Sequence, residues 1–184
     1  MLSLQLNPFP VLLTQRLVLR EITTADVNEV LELRSDKVVM AYIDRPLAQS
    51  AADAMELIQK IMDGIKNNEA ITWAISLTND PTLIGTIGFW KIDQPNYRAE
   101  IGYLLHPMQQ RKGLMQEAIA AALVYGFSTM GLHSVEANIN PANEASKKIL
   151  LNNNFVQEAY FKENYFSNGR FLDSAVYSLL APSA

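Results

Sequence analysis

The stretch His106-Pro-Met-Gln-Gln-Arg-Lys-Gly-Leu-Met-Gln-Glu-Ala118, HPMQQRKGLMQEA, follows an alternating apolar run and opens a long amphipathic one. It places Arg111, Lys112 and Gly113 at the start of a predicted helix. Unpaired N–H groups and the helix dipole already make that end positive, so two added cations cost stability and acidic residues would suit it better. Main-chain N–H groups at a helix start, directly after a strand, form a phosphate-binding element. Gly113 has no Cβ to block a ligand oxygen, and Arg111 and Lys112 are suitable partners for one. An ordinary surface helix start with solvated cations explains the spacing alone equally well.

The preceding strand supplies a second element. Pro107 has no N–H to continue pairing, which leaves a strand edge free near Leu104 and Leu105. A ligand bearing both a diphosphate and amides would use both elements. Coenzyme A has that make-up, its pantetheine amides pairing with the strand as another chain would. Other phosphate motifs are missing: there is no GxxxxGK[ST], and Gly85-Thr-Ile-Gly88 lacks the third glycine of a dinucleotide fingerprint.

Outward from this stretch the pattern is that of one α/β domain with a mixed sheet. Arg16–Glu21 alternates as a first strand, and Thr23 or Thr24 caps a helix through Ser35. Ser50 opens a second helix with Asp53 three residues on, in the manner of a capping box, and its stripe is Ala54, Ile58, Ile61 and Ile65. Strands follow at 71–77, 83–91 and 99–105, with turns at Asn79-Asp80-Pro81 and Gln94-Pro95-Asn96. The helix after the opening stretch runs to about Met130, where Gly131 supplies a left-handed cap. A strand at 134–139, a helix at 142–152 and a hairpin at Asn168-Gly169 complete the chain. The exposed sheet edge near that hairpin suits either a monomer or a homodimer.

With 184 residues, 49% hydrophobic and 18% charged, the composition is that of an ordinary globular domain. No apolar run reaches the ~18 residues of a membrane span. The N-terminal stretch lacks a basic region and contains Pro8 and Pro10, so a signal peptide is not expected. Zero cysteines exclude disulfides and thiolate metal ligands and suit the cytoplasm. The net charge of -4 argues against a nucleic-acid binder. His106 and His133 stand far apart in sequence without nearby acidic partners at ligand spacing, so no metal site is expected.

The chain resembles the GNAT superfamily of acyl-CoA-dependent N-acyltransferases, and within it the ribosomal-protein-alanine N-acetyltransferases of the RimJ/RimL type. The resemblance rests on Thr14-Gln-Arg-Leu-Val-Leu-Arg20, Ala99-Glu-Ile-Gly-Tyr-Leu-Leu105, Gln110-Arg-Lys-Gly-Leu-Met115 with Glu117-Ala118, and Asn140-Pro-Ala-Asn-Glu-Ala-Ser146 running to Asn154-Phe155. The motifs span about residues 14 to 180 in the family's order. Gln110 and Gly113 fit the signature Gln/Arg-x-x-Gly-x-Gly/Ala, whereas Met115 replaces its last small residue. Asn154 stands where glycine usually precedes the phenylalanine, and asparagine tolerates the left-handed conformation.

The resemblance implies the GNAT fold, a mostly antiparallel sheet flanked by helices, and direct attack of an amine on the acetyl-CoA thioester. The lack of cysteine is consistent with direct transfer, although another nucleophile remains open. Cofactor contacts are expected from the backbone of Leu104 and Leu105, from Gln110, Arg111, Lys112, Gly113, Leu114 and Met115, and from Asn143, which equally suits a helix cap. Glu100 is the candidate base and Glu136 its competitor; either also reads as a carboxylate paired with Arg98 or a lysine. Ser146, one turn after Asn143, matches the serine that this branch uses toward the leaving thiolate; a helix serine also bonds back to a carbonyl. Tyr42 and Asp44, in the connection where the family often contacts its acceptor, are candidates for reading a cationic amine. The expected acceptor is a protein N-terminal α-amine. A polyamine or amino sugar, and a non-catalytic acyl-CoA-binding sensor, are the alternatives.

Overall fold

Period-two and helical spacings divide the chain as its residues dictate. The computed structural model describes residues 2, 4–167 and 169–182. β1 (Leu12–Leu13) and β2 (Leu17–Glu21) come first, and β2 buries Leu17 and Leu19 on one face. A 3-10 turn at Thr24–Asp26, capped by Thr23, leads into α1 (Val27–Ser35). α2 (Ala51–Lys66) starts at Ser50, whose hydroxyl accepts from the Asp53 N–H at 3.3 Å. The Asp53 carboxylate accepts in return from the Ser50 N–H at 3.1 Å, completing the predicted capping box. Ala54, Ile58 and Ile65 of the stripe are buried.

β3 (Ile71–Leu77), β4 (Asp80–Asp93) and β5 (Arg98–Leu105) form a meander. The first turn is shorter than expected: Leu77 pairs with Asp80, so Asp80 and Pro81 open β4 instead of ending the loop. α3 (Leu114–Ser128), β6 (Ser134–Ile139) and α4 (Glu144–Asn152) follow. β7 (Val156–Ser167) and β8 (Arg170–Leu180) make the late hairpin. Asn168 of its predicted turn lies outside the described residues, while Gly169 has φ +79°. Gly131 at φ +76° and Asn154 at φ +63° take the left-handed values expected of them.

The eight strands are ordered β1-β2-β3-β4-β5-β6-β8-β7. Only β5 and β6 run parallel; every other neighbour is antiparallel. Alternation gives the sheet two apolar faces. On one, α1 and α2 bury Val30, Leu33, Ala54 and Ile58 against Ile22, Ala74 and Leu104. On the other, α3 packs Leu114, Ala118, Ile119 and Ala122, with Leu150 of α4, against Trp73, Ile87, Phe89 and Ile101. Trp73 is fully buried and meets Phe9, Phe89 and Tyr125 edge-on at 5.4–6.3 Å. Its Nε1–H donates to the Pro10 carbonyl at 2.7 Å, which satisfies the one polar atom of the ring.

One ion pair ties the first layer to the sheet. Arg20 donates to both oxygens of Asp26 at 2.5 and 2.9 Å, and to the carbonyl of Pro81 at 2.8 Å. Burial alone would raise the Asp26 pKa, but the Arg20 guanidinium and the Thr23 N–H outweigh it and hold the carboxyl below its ordinary range. A depressed folded-state pKa contributes stability above the unfolded carboxylate range, and that stability is lost as pH falls through the folded value. Arg20 is partly exposed, so the loss lies between an exposed and a buried pair. Asp26→Asn is expected to cost about 2 kcal/mol in urea unfolding at pH 7 and to flatten the decline in stability below pH ~4. An unchanged midpoint would show that the pair is not needed.

Candidate active site

β5 and β6 pair only from Arg98 to Glu100, against Ser134 to Glu136. Beyond that point β5 stays on β4 through Leu105 and β6 stays on β8 through Ile139, so the two strands part. The edge of β5 is therefore freed by this divergence and not, as the sequence suggested, by Pro107. The His106 N–H donates to the Ile84 carbonyl at 2.8 Å, which sets the phase of the ladder. Counting back by twos, Leu104 and Gly102 direct their main-chain groups to β4, and Leu105 and Tyr103 direct theirs to the open side. The expectation for Leu104 is thus corrected: its N–H and C=O pair with Thr86. Leu105 does face the opening, although its carbonyl already accepts from Gln110 Nε2 at 3.1 Å.

A cleft of about 1120 Å³ passes through this opening. It brings together Tyr42, Asp44, Glu100, Leu104, Asn143 and Ser146 of the candidates, and it does not include Gln110 to Met115. Glu100 shares its face of β5 with Leu104, on the α1/α2 side, whereas Tyr103 and Ser146 belong to the α3/α4 side. The parting of the strands lets side chains from opposite faces reach one space.

Glu100 is 6% exposed and accepts from Lys91 Nζ at 2.6 Å. The lysine reaches it from a bulge: the β4–β5 register shifts between Trp90 and Asp93, and Lys91 has φ +45°. Its side chain is 71% exposed, so the pair has one buried and one solvated member. Glu136 pairs instead with Arg98 at 3.0 Å and does not line the cleft.

Across the cleft, Asn143 caps α4 by accepting from the Ser146 N–H at 3.0 Å. This fixes Ser146, whose Oγ lies 2.7 Å from the hydroxyl of Tyr103. Burial pushes the Tyr103 phenol up to about 12, against a smaller opposing effect of the Ser146 hydrogen bond. Tyr103 was missed by sequence reasoning. Alternation placed it opposite Glu100, and only the open edge brings both to one cavity.

Beyond β5, the 3-10 turn Pro107–Gln109 is capped by His106, whose Nδ1 accepts from the Met108 N–H at 3.2 Å and whose Nε2 meets Glu32 at 3.0 Å. Arg111 and Gly113 then adopt φ +60° and +76°, and no side chain caps α3 at Gly113. Among the described residues no side chain accepts from the first N–H groups of the helix. Leu114 and Met115 bury their side chains in the core, so only their main chain can meet a ligand. Arg111 and Lys112 are exposed, and Lys112 Nζ donates to Gln109 Oε1 at 2.9 Å.

The acidic residue that a helix start favours is present, one turn in. Glu117 accepts from Thr14 Oγ1 at 2.6 Å and from Arg16 N and Nε at 2.8 and 2.7 Å. Burial acts to raise its pKa, and Thr14 and Arg16 together hold it below the ordinary range. Arg16 also donates to the Lys112 carbonyl at 2.9 Å, anchoring the loop from the β1–β2 side. In the connection between α1 and α2, Tyr42 and Asp44 are exposed. Asp44 faces Tyr165, whose phenol is pushed up first by burial and then by that carboxylate.

The Acetyltransferase (GNAT) domain family matches residues 16–156, and the chain belongs to it. It is an acyltransferase of the N-acetyltransferase type. It is 36% identical over 174 residues to the uncharacterized N-acetyltransferase YoaA of Bacillus subtilis, covering 95% of this chain and 98% of that one. The crystal structure of a GNAT-family acetyltransferase from Bacillus anthracis superposes with a TM-score of 0.84 at 28% identity, covering 94% and 99% of the two chains. A spermidine N(1)-acetyltransferase of Vibrio cholerae is 25% identical over 88% of this chain and 91% of its own. The ribosomal protein uS5 alanine N-acetyltransferase of Escherichia coli is 29% identical over 64% and 61%. Among the described residues no cluster of His, Cys, Asp or Glu could hold a metal ion, and no helix is long and apolar enough to cross a membrane.

If Arg16 anchors the loop, Arg16→Met should speed hydrogen exchange at the amides of residues 112 to 115 by about two- to fivefold, the equivalent of an exposed ion pair of ~0.4–1 kcal/mol. Unchanged exchange would show that Thr14 alone suffices.

Proposed function

We propose that the chain transfers the acetyl group of acetyl-CoA to a protein N-terminal α-amine, as expected of the ribosomal-protein-alanine branch. The observation that carries this reading is the single cleft in which a buried carboxylate, Glu100, faces a hydroxyl pair, Tyr103 and Ser146. The free amides of Tyr103 and Leu105 suit pantetheine, with Asn143 nearby. The uncapped start of α3, with Gln110, Arg111, Lys112 and Gly113, suits the diphosphate. The amine nitrogen bonds to the acetyl carbon as the C–S bond breaks. Glu100 takes the amine proton, directly or through water, and the Ser146 hydroxyl gives a proton to the departing sulfur. Tyr103, kept a neutral phenol by its raised pKa, holds the Ser146 hydroxyl in place through their hydrogen bond, and the serine regains its proton from water.

Glu100 is paired with Lys91 at 2.6 Å, the alternative its sequence context allowed, so its role as base requires the acceptor amine to take the place of that exposed ammonium. Tyr42, Asp44 and Tyr165 lie along the same cleft as contacts for the acceptor. The second reading, a small polyamine as acceptor, is favoured by the spermidine-acetylating relative.

The test is thiol release from acetyl-CoA, which a protein without cysteine reports free of background. Peptides beginning with Ala or Ser, polyamines and amino sugars are compared, with the mass of each product. Thiol and an added acetyl on the peptides is the expected result; turnover confined to polyamines overturns the α-amine assignment, and binding without any turnover favours a sensor. Ser146→Ala is expected to lower turnover about a hundredfold at unchanged acetyl-CoA affinity. Glu100→Gln should lower it similarly at neutral pH, and full activity across pH would remove Glu100 from the mechanism.

A further inference from the structure

α1 ends in a cation that the sequence does not mark as unusual. Arg34 is in its last turn, where the helix dipole favours positive charge. The dipole accounts for an exposed arginine, yet this one is partly buried and lines the cleft. It also lines a small, mainly apolar pocket with Ile22, Val30, Leu33, Leu57 and Leu104. Its guanidinium donates, among the described residues, only to Met40 Sδ, at 3.8 Å, a weak acceptor. Among the described residues no carboxylate pairs with it or with Arg45, the second arginine of the same cleft wall. Burial, and then the like charge of Arg45, hold the Arg34 pKa below its ordinary range.

The acids of the cleft are already engaged. Asp53 accepts from the N–H groups of Gln49 and Ser50 at 2.7 and 3.1 Å. Glu56 pairs with Lys60 at 2.7 Å, Glu100 with Lys91, and Asp44 acts on Tyr165. Asp44 and Asp53 thus match the two arginines in formal charge, but neither pairs with them, and Arg45 is the one charged neighbour that acts on Arg34. A partly desolvated guanidinium without a counter-ion is costly, and an arriving carboxylate removes that cost through two parallel hydrogen bonds. Among the described residues the buried hydroxyl of Ser174, which also lines the cleft, has no hydrogen-bond partner.

We infer that Arg34 and Arg45 form an anion subsite in the acceptor cleft, so that the acceptor is an amine carrying a carboxylate close to its reacting nitrogen. This rests on the transferase reading and adds the charge of the substrate to it. The same pair repels a polycation, which selects against a polyamine acceptor.

The test is calorimetric titration of the CoA-loaded full chain with Ala-Asp-Ala-amide and Ala-Asn-Ala-amide, which differ by one carboxylate. Free glutamate and spermidine serve as further probes. The aspartyl peptide is expected to bind about tenfold more tightly than its amide partner. Arg34→Met, which keeps the apolar stem, should abolish that ratio while acetyl-CoA affinity and melting temperature stay unchanged. Arg45→Gln, on the exposed connection, should reduce it severalfold and serves as the measurement if the first variant does not fold. Tighter binding of glutamate than of the peptide assigns the subsite to a small amino acid, and the reverse assigns it to a polypeptide end. Equal affinities, a ratio surviving in both variants, or preference for spermidine would overturn the subsite. Thiol release is read in the same samples: a tenfold ratio without transfer to any amine overturns the transferase reading and spares the subsite, whereas transfer without a ratio does the opposite.

Discussion

The arrangement of this molecule depends on one short stretch of pairing. Three residues of β5 lie parallel to three of β6, and after Glu100 the ladder stops because each strand is held by its antiparallel neighbour. A sheet that continued would separate its two faces, since alternate side chains cannot meet through a closed ladder. Here the loss of a few hydrogen bonds leaves an opening that is lined from both sides, and a strand edge whose amides at Tyr103 and Leu105 lack a strand partner. The surrounding layers hold the opening in shape. α3 and Trp73 pack beneath it, while α1 and α2 close over Leu104.

Electrostatics at the end of β5 follow from the same geometry. The two cations of the α3 loop do not face an unopposed dipole, because Glu117 lies one turn further on and is pinned by Thr14 and Arg16. The helix start is neutralised from behind and remains open in front. The Thr14–Arg20 motif therefore supports the loop as well as supplying β2.

Most of the fold was legible in the residues. The Ser50–Asp53 capping box, the alternation of β3 and β6, and Gly113 and Gly131 at left-handed positions depend on local spacing, which a sequence displays directly. Asn143 resolved as a cap because its side chain needs only the amide three residues on. What stayed hidden depends on registers and bends. Which backbone groups of β5 are free turns on the phase set by His106 and Ile84, and alternation alone does not supply it, so Leu104 was expected at the open edge, where the main chain of Tyr103 and Leu105 lies. The bulge that turns Lys91 toward Glu100 carries no glycine to announce it. Arg34 looks like an ordinary helix end until its neighbours are known.

The opening also decides which side chains share a space. Because the cleft passes through the opening in the sheet, it is bordered by residues of both the α1/α2 side and the α3/α4 side. Side chains that a closed sheet would keep on opposite faces, Glu100 on one and Ser146 on the other, here border a single volume.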